Sequence, residues 1–135
     1  MQQTEAMTEE SVRRLFEQAG ARVASRGGRT ENYGSPREFS FEVRAQFANG
    51  LGLHVVARQY NYRDPWEATG RVNDLVDVTL LEGQTPCRLP KGHPWFQQGE
   101  EEVDVDADGL REIVRIVSGL NPKILALQRL TGDLD

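Results

Sequence analysis

The side chains here with chemistry to offer are two histidines, one cysteine, six acids within nine residues and a loop aromatic pair. A transition-metal site would need both His54 and His93 together with carboxylates, and no close ligand spacing joins them. Cys87 is the sole cysteine, which excludes an internal disulfide and any multi-cysteine zinc site. It has no CxxC partner and no histidine or helix start nearby in sequence to favour a thiolate, so it reads as an inert, partly buried thiol. His54 reads as a structural, hydrogen-bonded residue beside Glu42. No P-loop, GxGxxG, HExxH or GxSxG pattern occurs. No catalytic residue is assigned, and no metal or cofactor is implied.

The acidic run is Glu100, Glu101, Glu102, Asp104, Asp106 and Asp108. Asp104, Asp106, Asp108 and Gly109 copy the start of a calcium-binding EF-hand loop. Position twelve is then Arg115, where a bidentate Glu is required, and no entering helix precedes the loop. The run reads instead as an acidic strand face whose last acid, Asp108, caps a helix. Such a face resists edge-to-edge pairing and is suited to docking a basic partner surface. Trp95 and Phe96 follow His93-Pro94 in a loop, either as a plug at the end of the core or as an aromatic anchor for a partner.

Two further groups of residues stand as alternatives. Arg44, His54, Arg58 and Tyr60 fall on the polar side of two strands, a mixed basic and aromatic face suited to an anionic ligand and closed by Trp66 or Trp95. Arg22, Arg26, Arg29 and Tyr33 surround an Arg-Gly-Gly-Arg loop of the composition found in RNA-binding tracts.

The elements that position these residues follow from periodicity. Thr8 caps a helix whose apolar face is Val12, Leu15, Phe16 and Ala19, and Gly20 stops it. A short strand at Ala21–Ala24 is followed by a loop over 25–36. Phe39, Phe41, Val43, Ala45 and Phe47 alternate with polar residues, as do Leu51, Leu53, Val55 and Ala57. A two-residue Asn49-Gly50 turn would set one apolar set beside the polar set of its neighbour. A three-residue loop, Ala48-Asn49-Gly50, puts both on one face, with Gly50 left-handed. In that register His54 faces Arg44, and Arg58 faces Ser40. Asp64-Pro65-Trp66-Glu67 starts a single helical turn ended by Gly70. Strands follow over 72–82, near 85–89 and over 101–107, the last with Val103, Val105 and Ala107 on one side. Leu110, Ile113, Val114, Val117 and Leu120 form one helical stripe. Asn121-Pro122 ends that helix and starts another bearing Ile124, Leu125, Leu127 and Leu130.

The expected fold class is α+β: an antiparallel sheet of about four to five strands, an N-terminal helix and two C-terminal helices, with the helices mainly on one face. Residues 1–7 read as a disordered lead, 8–130 as a single domain and 131–135 as a polar tail. A chain of 135 residues suits one domain. The net charge of -5 disfavours general nucleic-acid binding. It hides a +5 segment from Ser11 to Arg63 and a -6 segment from Asn73 to Asp135. No apolar run reaches membrane-spanning length, and the lone thiol and polar start fit a cytoplasmic location. This small acidic α+β format resembles that of type III secretion chaperones, immunity proteins and phage-encoded inhibitors, a likeness of format alone. The leading expectation is a non-enzymatic interaction module of inhibitor, immunity or adaptor type. It would act through Trp95, Phe96, Glu100, Glu101, Glu102, Asp104 and Asp106, with a protein partner and possible homodimerisation through a free sheet edge or the last helix. The alternatives are an anionic-ligand binder or small enzyme, and a weak RNA or single-stranded nucleic-acid binder.

Overall fold

The computed structural model describes residues 7–27, 39–58 and 75–132. Its elements are α1 (Glu9–Gln18), β1 (Arg22–Gly27), β2 (Phe39–Gln46), β3 (Leu51–Arg58), β4 (Val76–Glu82), β5 (Thr85–Pro86), β6 (Glu101–Val105), α2 (Ala107–Ser118) and α3 (Pro122–Gly132). The fold is α+β. The strands form one antiparallel sheet in the order β1-β2-β3-β4, and β5 and β6 both pair with β4. Residues 1–6, the expected loop from residue 28 on with Arg29 and Tyr33, Tyr60, the turn around Trp66 and the last three residues lie outside the described set.

The β2–β3 register is the one that parity demands. Val43 pairs with Val55 and Ala45 with Leu53. Phe47 N–H donates to the Leu51 carbonyl at 2.8 Å and closes a three-residue loop, in which Gly50 has φ +87°. His54 faces Arg44 as expected. Arg58 does not face Ser40. A bulge between Phe39 and Phe41 adds one residue to β2, so Arg58 pairs with Phe39.

The apolar face of the sheet is buried beneath α1 and α2. Val43, Leu53, Val55, Val78 and Leu80 are fully enclosed, together with Phe16 of α1 and Ile113 and Val117 of α2. Phe16 meets Phe47 edge to face at 6.2 Å. α1 begins with a capping box in which Thr8 and Ser11 exchange side-chain to backbone hydrogen bonds. Met7, counted above with the lead, is 4% exposed and joins this core.

Three boundaries differ from expectation. β1 runs to Gly27 because its pairing with β2 continues to Phe41, so Arg26 belongs to a strand. β6 holds a bulge, with Val105 opposite Val76 but Glu102 opposite Val78. Asp104 sits there at φ +58°, and Val103 turns outward, 54% exposed, instead of lining up with Val105 and Ala107. α2 is capped by Asp106, whose carboxylate accepts from Gly109 N–H at 2.7 Å, and Asp108 falls in the first turn. α3 starts as expected, with Asn121 accepting from Lys123 N–H. Of its apolar residues only Leu125 is buried; Ile124, Leu127 and Leu130 are 54%, 61% and 65% exposed.

Candidate functional site

The acids of the 100–108 run divide by what they touch. Glu102 is half-buried and accepts from Phe96 N–H at 2.7 Å. Asp106 caps α2, and Asp108 pairs with Arg111 at 2.7 Å. Asp104 N–H donates to Asp77 across the bulge. Glu100, Glu101, Asp104, Asp106 and Asp108 are all exposed, along β6 and into α2. Among the described residues no group of three or more potential ligands is placed to hold a metal ion. The acids therefore form a rim along the sheet edge, with Glu102 turned inward as a structural acceptor.

Phe96 is 0% exposed and holds φ +57°; in this fold it is a core residue. Trp95 is half-buried against the core, and its indole N–H donates to Glu112 at 2.6 Å. The loop carrying them is tied down by Gln97, whose amide donates to the Pro90 carbonyl at 2.8 Å, and by Leu89 N–H to the Phe96 carbonyl.

The sheet face opposite α1 and α2 carries Arg44 and His54 of the second set of candidates. His54 Nε2 lies 3.4 Å from Glu42 Oε1, an ion-pair distance for a protonated ring, yet it makes no hydrogen bond there. Arg26 reaches Glu42 at 3.1 Å. Burial alone would raise the Glu42 carboxyl, but Arg26 and His54 outweigh it and hold it below the usual carboxylate range. Arg22 from the nucleic-acid set and Arg44 from the ligand set are brought together. They flank a hollow of about 210 Å³ that also involves Gln46 and Gln84. Gly52 lies in register between Gln46 and Leu81, so the middle position of that row carries no side chain. Arg58 ends β3.

A third arrangement was not singled out in the sequence. Between β5, the loop after it and α3 lies a recess of about 460 Å³ with Glu82, Cys87, Arg88, Lys91, Gln128 and Arg129 in its wall. Arg129 is fixed from two sides, with Nη1 on Glu82 at 2.6 Å and Nη2 donating to the Arg88 carbonyl at 2.9 Å. Burial works against the Arg129 charge, but Glu82 and the Cys87 thiol outweigh it and hold its pKa above the ordinary value. The Cys87 thiol is pushed up chiefly by burial, against the opposing pull of Arg129. Arg129 lies 47 positions from Glu82 and 41 from Arg88 in the chain. The only local signal was a pair of cations, Arg88 and Lys91, close after the lone thiol.

Comparison of the chain with protein-family models, with curated proteins and with solved structures finds no match. No helix among the described residues is long and apolar enough to cross a membrane.

Proposed function

We propose that this chain is a non-enzymatic protein-interaction module, of inhibitor, immunity or adaptor type, that docks a basic surface of a partner protein. The supporting observation is the rim of exposed acids Glu100, Glu101, Asp104 and Asp106 along β6 and the start of α2. A rim of one sign steers an oppositely charged partner and sets register more than it adds raw affinity. The exposed Val103 within the rim offers apolar contact area beside the charges. Phe96 has no part in this surface, and Trp95 contributes at most one half-buried edge.

The test is quantitative affinity capture with three baits: wild type, a rim variant carrying Glu101→Lys and Asp104→Lys, and a control carrying Lys123→Glu on α3. A protein held by wild type and control but lost by the rim variant supports the reading. Identical captured sets for all three baits remove the rim from it.

A second reading, a small anionic ligand on the sheet face opposite α1 and α2, is favoured by Arg22 and Arg44. Neither has an ion-pair or hydrogen-bond partner among the described residues, and both border the same hollow. Native mass spectrometry of protein purified without chelators separates the two. A bound small mass lost in Arg44→Ala supports the ligand reading, and a bare chain supports the interaction module.

A further inference from the structure

The recess beside α3 inverts the charge of its surroundings. The chain carries 16 basic against 21 acidic residues, yet among the described residues three cations, Arg88, Lys91 and Arg129, line this recess against the one carboxylate of Glu82. That carboxylate is held by Arg129. Glu100 is close enough to act on Cys87 electrostatically, and counting it the balance is still positive, three to two. Arg88 and Lys91 have no ion-pair or side-chain hydrogen-bond partner among the described residues. Arg129 differs from them: its fork is locked by Glu82 and the Arg88 carbonyl, so it presents its remaining N–H groups without further ordering. A fixed guanidinium flanked by two exposed cations is a receptor for an oxyanion. The volume of about 460 Å³ suits an organic molecule larger than a bare ion.

We infer that this recess binds a small organic oxyanion, a phosphate monoester or a carboxylate, with Arg129 as the fixed donor and Arg88 and Lys91 closing over the charged group. The site is separate from the acidic rim, and the inference stands whether or not the rim docks a partner.

Cys87 is the only thiol in the chain and borders the recess, so its reactivity reports on the recess alone. The experiment compares two disulfide reagents on the folded full chain, the dianionic dithiobis(nitrobenzoate) and the neutral dithiodipyridine. In both, the Cys87 thiolate attacks one sulfur, a mixed disulfide forms and the other half leaves as a thiolate or thione. The ratio of the two rates cancels the thiol's intrinsic reactivity and leaves the electrostatic part. Reversing both exposed cations in Arg88→Glu/Lys91→Glu is expected to lower the anionic-to-neutral ratio about tenfold at low salt, and Lys123→Glu, outside the recess, is expected to leave it unchanged. Phenyl phosphate or benzoate should slow the neutral reagent saturably in wild type and not in the double variant. Protection by phenyl phosphate alone assigns a phosphate ester, and protection by benzoate alone a carboxylate. An unchanged ratio in the double variant, or no protection by either anion at millimolar concentration, overturns the inference. Far-UV circular dichroism and the urea midpoint of each variant establish that the recess is being compared in folded protein.

Discussion

Replacing Asn49 by alanine should cost this fold about 2 kcal/mol, because one side chain in the hairpin loop makes three hydrogen bonds. Its Nδ2 donates to the carbonyls of Val117 at 2.8 Å and Leu120 at 3.0 Å, and its Oδ1 accepts from Leu51 N–H at 3.0 Å. The first two partners lie at the C-terminal end of α2, where backbone carbonyls lack intrahelical donors. Asn49 thus caps a helix from 68 residues away in the chain while fixing its own turn. Each such bond contributes roughly 0.5–1.5 kcal/mol net, so three give roughly 1.5–4.5 kcal/mol, and the partial exposure of the site places the sum in the lower half of that span. Equilibrium urea unfolding followed by far-UV circular dichroism should show the midpoint fall by about 1 M, given a slope of 1–3 kcal/mol/M for small domains. Asn49→Asp divides the two roles. It keeps the acceptor for Leu51 but removes both donors and sets a carboxylate against the negative end of α2. The expectation is that Asn49→Asp is destabilised about as much as Asn49→Ala at pH 7. If Asn49→Asp stays near wild type while Asn49→Ala does not, the residue serves the turn alone. If both are neutral, the tie to α2 contributes nothing.

Three other substitutions test other parts of the structure. Gly50→Val forces a β-branched residue to φ +87° and should cost about 2 kcal/mol in the same assay; a neutral result would contradict the three-residue loop. At Gly52 an added Cβ would lie 2.7 Å from the Ala45 carbonyl oxygen. Gly52→Ala should therefore destabilise by about 1–3 kcal/mol, although alanine normally improves on glycine in a strand, and a stabilised variant would refute that contact. Glu42 titrates below its unfolded value, so its contribution is complete above about pH 4.3 and is lost as pH falls through the lower folded pKa. Wild type should exceed Glu42→Gln by less than about 1 kcal/mol at pH 7, since Arg26 is 68% exposed, and the gap should close in acid; a gap that widens there would reverse the assigned sign.

Much of the architecture could be read from local pattern. The period-two alternation on either side of Asn49-Gly50 leaves only one register in which both apolar sets share a face, and β2 and β3 adopt it. The stripe from Leu110 to Val117 and the Asn121-Pro122 junction likewise state their own helices. What escaped depends on distant partners. Asp104, Asp106 and Asp108 are equally good caps by type, and the choice of Asp106 is made by where β6 stops pairing with β4. The bulge that turns Val103 outward leaves the alternating sequence unchanged, so nothing local announces it. Asn49 looked like a turn former because its second role is carried by carbonyls near the other end of the chain. Cys87 is half-buried with its pKa raised, as an inert thiol should be, but nothing local showed that Arg129 reaches it from α3.

The tandem placement of β5 and β6 along one edge of β4 has an evolutionary corollary. The chain leaves that edge after Pro86 and returns to it at Glu101, so the stretch between is an excursion that begins and ends on the same line of the sheet. Its length can drift without altering any strand pairing, since doubling a flexible loop costs only about 0.6 kcal/mol in closure entropy. The constraint is the pair of inward plugs, Leu89 and Phe96, which any longer or shorter version must still deliver to the core. Between those two points, with Pro90 held by Gln97 and Trp95 by Glu112, Lys91 to Pro94 are open to insertion and recombination. Related chains that share this scaffold can therefore diverge most in the segment that borders the cationic recess, while the sheet beneath stays constant.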